Sequence, residues 1–337
     1  MARMIDASDP GKAARVAPPT ARARIEPLPL GWLVTAAAIG CVAVCALLAS
    51  ADLALQVGAR PLDLACAGAG MAVLLLYLLR DAVDGWRRAL HETVTHAALF
   101  TLFCLTGAVA AYPVAAGGGG YVDAALVRAD AMLGFHWPVW YVFVASHHWA
   151  QTLGRAAYLS IFVTPALLIG QFARTRRTAE ARRFLAAFWT AAVLTLAIAR
   201  ALPVRGPLAS MTAARLPYVP VSGLFQAELP PRLRLHELHQ VDLMALHGLV
   251  GAPSFHTASA VLYVAVGWRC RRLRWPILAL NSAMLLATPV EGTHYLVDML
   301  MGAGVALVAL ALVDAVIRWR VPARARWRSA APGPSMP

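Results

Sequence analysis

Residues 288–300 read TPVEGTHYLVDML and run straight into the apolar stretch MGAGVALVALALV at 301–313. A run of that length and apolarity marks a membrane-spanning helix, which needs about 20 mostly apolar residues. Ionisable side chains near hydrocarbon are costly and usually functional, so Glu291, His294 and Asp298 at the mouth of the helix call for a reason. His294 and Asp298 are four residues apart, which makes them neighbours on one helical face. In that arrangement the carboxylate accepts a hydrogen bond from one imidazole nitrogen, fixes the tautomer and stabilises positive charge. The other nitrogen is then free to attack an electrophile.

The rest of the chain has the same apolar character. Its 337 residues are 60% apolar and 14% charged, outside the range of ordinary soluble domains. The formal charge of +13 does not describe a nucleic-acid binder, because the arginines fall in short runs between apolar segments without a basic recognition element. Cys41, Cys45, Cys66, Cys104 and Cys270 lie in or beside apolar runs, and no second pair accompanies Cys41 and Cys45. Neither a disulfide framework nor a zinc site is expected. Hydropathy predicts an all-α bundle of eight spans at 28–50, 61–79, 93–113, 154–173, 184–203, 254–268, 275–290 and 294–317. The first run reads as a retained span, not a removed signal peptide. Residues 1–27 and 321–337 read as disordered basic tails, 28–113 as N-terminal transmembrane helices and 114–320 as the catalytic membrane domain.

Charge sets the expected orientation. With eight spans and the N-terminus inside, the runs at 80–88, 174–183, 269–274 and 318–328 join the N-terminal tail on one side, which then holds 22 of the 30 basic residues. Cytoplasmic loops carry such an excess, so both termini are expected in the cytoplasm and the protein in the plasma (inner) membrane. Two longer outer segments remain. In 114–153, Val122, Leu126, Ala129 and Leu133 form an apolar stripe with Asp123, Arg128 and Asp130 off it, followed by FHWPVWYVFVASHHW. This predicts a helix lying in the interface. In 204–253, HELH at 236–239 lacks the spacing of the zinc proteases. A metal site would have to be assembled from His236, His239 and His247, so no cofactor is expected.

A second stretch, GAPSFHTASA at 251–260, starts a helix, with Pro253 beside the capping hydroxyl of Ser254. The first N–H groups of such a helix make an anion pocket, and His256 sits in its first turn. The expected topology starts the sixth and eighth spans at the same membrane face, which brings His256 towards His294. That constellation fits phosphoryl transfer through a phosphohistidine. His294 attacks phosphorus, His256 protonates the leaving oxygen and then activates water or an alcohol, and Ser254, Phe255 and nearby N–H groups hold the phosphoryl oxygens.

At these residues the chain resembles the type-2 phosphatidic acid phosphatase superfamily of membrane lipid phosphatases and phosphotransferases. That family pairs a Pro-Ser-x-His motif, here Pro253, Ser254 and His256, with a later His-x-x-x-Asp motif, here His294 and Asp298. The forms GAPSFH and GTHYLVDMLMG are more similar to the branch containing the inositol phosphorylceramide synthases than to the soluble acid phosphatases. The resemblance implies a metal-independent enzyme with a helical core, a nucleophilic second histidine and an acid first histidine. Two basic signatures depart from the wider family. Thr288 stands six residues before His294, where the family has an arginine. RALPVRGPLAS at 200–210 offers Arg200 and Arg205 in place of a lysine-rich motif; of the outer-face candidates for binding phosphate, Arg155, Arg200, Arg205, Arg215, Arg232 and Arg234, Arg205 and Arg200 are the preferred two. The expected partners are a lipid phosphate substrate and membrane lipids, with the site facing the outside or periplasm; nothing fixes the oligomeric state. The alternative is a transporter or lipid-handling protein without chemistry. It would show ionisable residues at mid-span and broken helices in paired halves.

The orientation is directly testable with single cysteines at Ser210 and Thr178 in a background without the native cysteines. Ser210Cys is expected to react with an impermeant reagent in intact cells and Thr178Cys only after lysis. The reverse pattern puts the site in the cytoplasm.

Overall fold

The computed structural model describes residues 28–81, 85–211 and 216–320; the expected tails and Arg215 lie outside them. Three helices come first: α1 Leu30–Ser50, α2 Ala59–Leu79 and α3 Gly85–Ala116. Three shorter ones follow: α4 Asp123–Met132, α5 Trp137–Ser146 and α6 His148–Leu159. A single 3-10 turn joins α6 to α7 Val163–Arg174, and α8 is Thr178–Ala201. The long connection after α8 carries α9 Phe225–Arg234 and leads to α10 Phe255–Gly267, α11 Arg274–Glu291 and α12 Leu296–Arg320.

Each expected span falls on a helix, and the chain is an integral membrane protein. Five helical rods are long and apolar enough to cross a membrane: α1, α3, the continuous rod His148–Arg174, α8 and α12. The apolar part of α2, Ala67–Leu79, is shorter, as is α10. In α11 the buried Asn281 interrupts the apolar run and donates to Thr164 Oγ1 at 3.1 Å.

The fold is nearly, not wholly, all-α. Strands β1 Ala54–Gln56 and β2 Gln240–Asp242 pair in parallel, with Leu55 opposite Val241. They tie the α1–α2 connection to the loop that precedes α10. Hydropathy does not reveal strands this short, and their pairing is non-local.

Helix α8 packs against α1, α3, α7, α10 and α12. Phe184, Leu185, Phe188 and Ala191 on α8 are buried together with Ala258, Leu262, Ala306 and Ala309 from α10 and α12. Inside a bilayer such helices gain from close packing rather than from expelling water, which favours small residues at the contacts.

Three polar groups find their partners far along the chain. Asp314 makes a bidentate pair with Arg183 of α8, at 2.6 and 2.7 Å. The inward face of α4 is Asp123, Leu126 and Asp130, with Asp130 buried and Leu133 exposed. Leu126 and Val122 of the apolar stripe pack inward beside the two carboxylates, which satisfy backbone donors. Trp137 is buried and donates from Nε1 to Pro289 O at 2.7 Å.

The Arg183–Asp314 pair generates a stability prediction. Asp314→Asn leaves a buried guanidinium uncompensated and is expected to cost about 3 kcal/mol, seen as a lower thermal midpoint in detergent. The double replacement Arg183→Met with Asp314→Leu is expected to recover most of the loss.

Candidate active site

The site forms where the start of α10 meets the α11–α12 corner. Ser254 caps α10, its Oγ accepting from Thr257 N at 3.4 Å and from Thr257 Oγ1 at 3.2 Å. Both bonds use Ser254 as acceptor, so its own hydroxyl proton stays uncommitted. Its backbone N–H donates to the carbonyl of Asp298 at 3.1 Å, which joins the two motifs directly. The N–H groups of Phe255 and His256 have no acceptor among the described residues. They point out from the positive end of α10.

Helix α11 ends at Glu291 and the chain turns through Gly292 and Thr293. Thr293 has φ of 52°. A β-branched residue in that left-handed region is strained and needs its surroundings to hold it. Its Oγ1 donates to Gln226 Oε1 at 2.7 Å and receives Ser222 Oγ at 3.2 Å. Gly206, at φ of 83°, fits beneath the corner, where a Cβ would lie 3.0 Å from Thr293 O.

The start of α12 is saturated by the chain's own carboxylates. Tyr295 N donates to Asp298 Oδ2 at 2.8 Å. Leu296 N and Val297 N donate to Asp130 at 2.9 and 2.8 Å. Burial pushes the Asp130 carboxyl up, and these two bonds pull it back. Asp123 accepts from Arg205 N, Gly206 N and Tyr295 Oη, so α4 pins both the 203–206 segment and α12.

His294 and Asp298 are both buried, with His294 Nδ1 lying 3.0 Å from Asp298 Oδ1. The same nitrogen is 3.0 Å from Gly251 O. Both neighbours are acceptors, so Nδ1 carries the proton and the Nε2 lone pair is free. His256 is half-buried and stacks on Tyr158 of α6, with ring centroids 3.9 Å apart and planes 15° apart. Gly292 lies between the rings. A Cβ there would be 2.8 Å from His294 Cδ2 and 2.9 Å from Tyr158 Cε2. The two histidines are close enough for their charges to interact.

His256, His294, Asp298, Ser254 and Phe255 thus meet at one place. The candidate arginines lie to its α8–α9 side. Arg205 Nε donates to Ala227 O at 3.3 Å and its guanidinium lies over Tyr121, while the exposed Arg200 rests against Gly117. Sequence reading missed Tyr158, Asp123 and Asp130. For the aspartates a signal existed, since Asp123, Leu126 and Asp130 share a helical face. Nothing local marks Tyr158. Among the described residues no three His, Cys, Asp or Glu groups gather as a metal site. His239 pairs with Asp52 at 3.0 Å and His247 stacks on Phe225.

A helical membrane protein with these paired histidine motifs belongs to a definable class. Residues 124–312 match the family model of the PAP2 superfamily, the type-2 phosphatidic acid phosphatases. The chain belongs to that superfamily, whose members are phosphatases or phosphotransferases. No curated protein and no solved structure matches it significantly.

The close approach of α12 to α10 supplies a test. A Cβ on Gly302 would collide with the carbonyl oxygen of Ser254, a backbone atom that cannot swing away. Gly302→Ala is expected to destabilise by about 1–3 kcal/mol and to separate the two motifs. Gly304 has nothing within 4 Å of the equivalent position, so Gly304→Ala serves as the neutral comparison in the same thermal and activity assays.

Proposed function

We propose that this protein is a membrane lipid phosphatase or phosphotransferase that works through a phosphohistidine on His294. The observation carrying this reading is the placement of His294. Its Nδ1 bonds to Gly251 O, with Asp298 Oδ1 3.0 Å from the same nitrogen, so Nε2 is available beside His256 and the open start of α10. In the first half-reaction Nε2 forms a bond to phosphorus as the bond from phosphorus to the lipid alcohol oxygen breaks. His256, protonated, gives its proton to that oxygen. Asp298 stabilises the positive imidazole. In the second half-reaction His256 takes the proton of water or an alcohol while its oxygen attacks phosphorus, and His294 leaves as neutral imidazole.

The phosphoryl oxygens are held by the N–H groups of Phe255 and His256 and by the Ser254 hydroxyl. Arg205 and Arg200 supply positive potential on the α8 side of the mouth. The basic loops support an eight-span topology with both termini in the cytoplasm of a plasma-membrane protein. The site then faces the outside, and α4 and α5 lie at the outer interface. The forms GAPSFH and GTHYLVDMLMG favour a branch like the inositol phosphorylceramide synthases, in which an alcohol accepts the phosphoryl group.

His294→Ala is expected to abolish turnover of lipid phosphates, and His256→Ala to lower it by about 10²–10⁴-fold. Brief exposure to a ³²P-labelled lipid phosphate should label the wild type with acid-labile, alkali-stable phosphate and leave His294→Ala unlabelled. Chelators should not reduce the rate. A folded His294→Ala protein with wild-type turnover rules the mechanism out.

A further inference from the structure

A phosphate ester entering this site meets several carboxylates: buried Asp298, Asp130 and Glu291, and half-buried Asp123. Thr288 supplies no cation, and two helix N–H groups do not offset that charge. Helix α6 carries a further arginine. Its Tyr158 stacks on His256, and Gly154 lies so close to the α11 terminus that a Cβ would be 3.3 Å from Glu291 Oε1. Arg155 sits between them, one turn before Tyr158 on the same side of the helix.

Arg155 is hydrogen-bonded from one edge only, with its guanidinium 5.6 Å over the Tyr218 ring. Its Nη2 donates to Val219 O at 3.1 Å and, at longer reach, to Tyr218 Oη at 3.5 Å. Tyr218 Oη donates to Glu291 Oε1 at 2.6 Å, and Val221 N donates to Oε2 at 3.0 Å. Burial, with the bond to Glu291, pushes the Tyr218 phenol up to about 12, so it stays a donor at neutral pH. Glu291 precedes His294 by three residues, which links the array to the nucleophile. The Nε and Nη1 donors of Arg155 have no partner among the described residues, and the side chain is exposed.

Resting on the phosphoryl-transfer reading, we propose that Arg155 binds the substrate's phosphoryl group through its free Nε and Nη1 edge, with Tyr218 and Glu291 as positioning residues. Arg is the side chain suited to this, because its planar fork matches two phosphate oxygens at once. The Tyr218–Glu291 pair keeps the fork from swinging to solvent. A buried carboxylate so near an anion site is otherwise unfavourable, and this array gives it a role.

The test uses the full chain in lipid nanodiscs, with orthovanadate as the phosphoryl mimic and a lipid phosphate as substrate. Arg155→Gln is expected to weaken vanadate binding and raise KM by roughly tenfold to a hundredfold while the protein stays folded. Arg155→Lys should recover only part of that. Arg232→Gln, at an exposed arginine beside Glu237, should change neither. Tyr218→Phe should raise KM more than it lowers kcat, and the Arg155→Gln/Tyr218→Phe double variant should be no worse than Arg155→Gln alone. Full additivity overturns the positioning role. Wild-type vanadate affinity and KM in Arg155→Gln overturn the assignment of Arg155 while the His294 phosphoenzyme still forms. If the wild type neither binds vanadate nor becomes labelled, this inference falls together with the reading on which it rests.

Discussion

One backbone hydrogen bond, from Ser254 N–H to Asp298 C=O, fixes the relation between the two halves of the site. Ser254 caps α10 and Asp298 caps the start of α12, so a single main-chain contact sets where both helices begin. Gly302 permits it, because any side chain there would displace the carbonyl of Ser254. Since the lock is made by backbone atoms, it uses neither the imidazole of His294 nor the side chains of Asp298 and Ser254.

The two helix starts are treated differently. At α12 the free N–H groups are consumed by Asp298 and Asp130. At α10 Ser254 answers Thr257, and the donors of Phe255 and His256 remain open. The open donors are therefore at α10 and not at α12, although both helices present the same end of their dipoles. The carboxylates around His294 are structural anions for the protein's own backbone. Their cost is that several buried carboxyl groups crowd the start of α10.

The features legible in the sequence were those with a local signature. His294 and Asp298 declare themselves by four-residue spacing, and the Pro-Ser start of α10 by cap chemistry. Hydropathy placed helices wherever spans were expected. It did not separate rods long enough to cross a bilayer from shorter ones such as α10, because packing against neighbours is invisible in a window of residues. The contacts that the sequence does not reveal are non-local. The partner of Asp314 lies on α8, the donors for Asp130 lie on α12, and the acceptor for Trp137 is at the end of α11. In each case a polar group chose a distant backbone or side chain over the nearest one in sequence, and periodicity alone carries no record of that choice.

The pair between Arg183 and Asp314 also bears on how the molecule sits in lipid. Helix α12 is fastened near one end by the carboxylates of α4 and near the other by α8. A rod held at both ends cannot slide along its axis or rotate separately from its neighbours. A thicker or thinner bilayer is accordingly met by tilting the whole bundle or deforming the lipid around it. The depth of His294 relative to α10 is then set by the protein and not by the acyl chains, so one catalytic geometry serves membranes of different thickness.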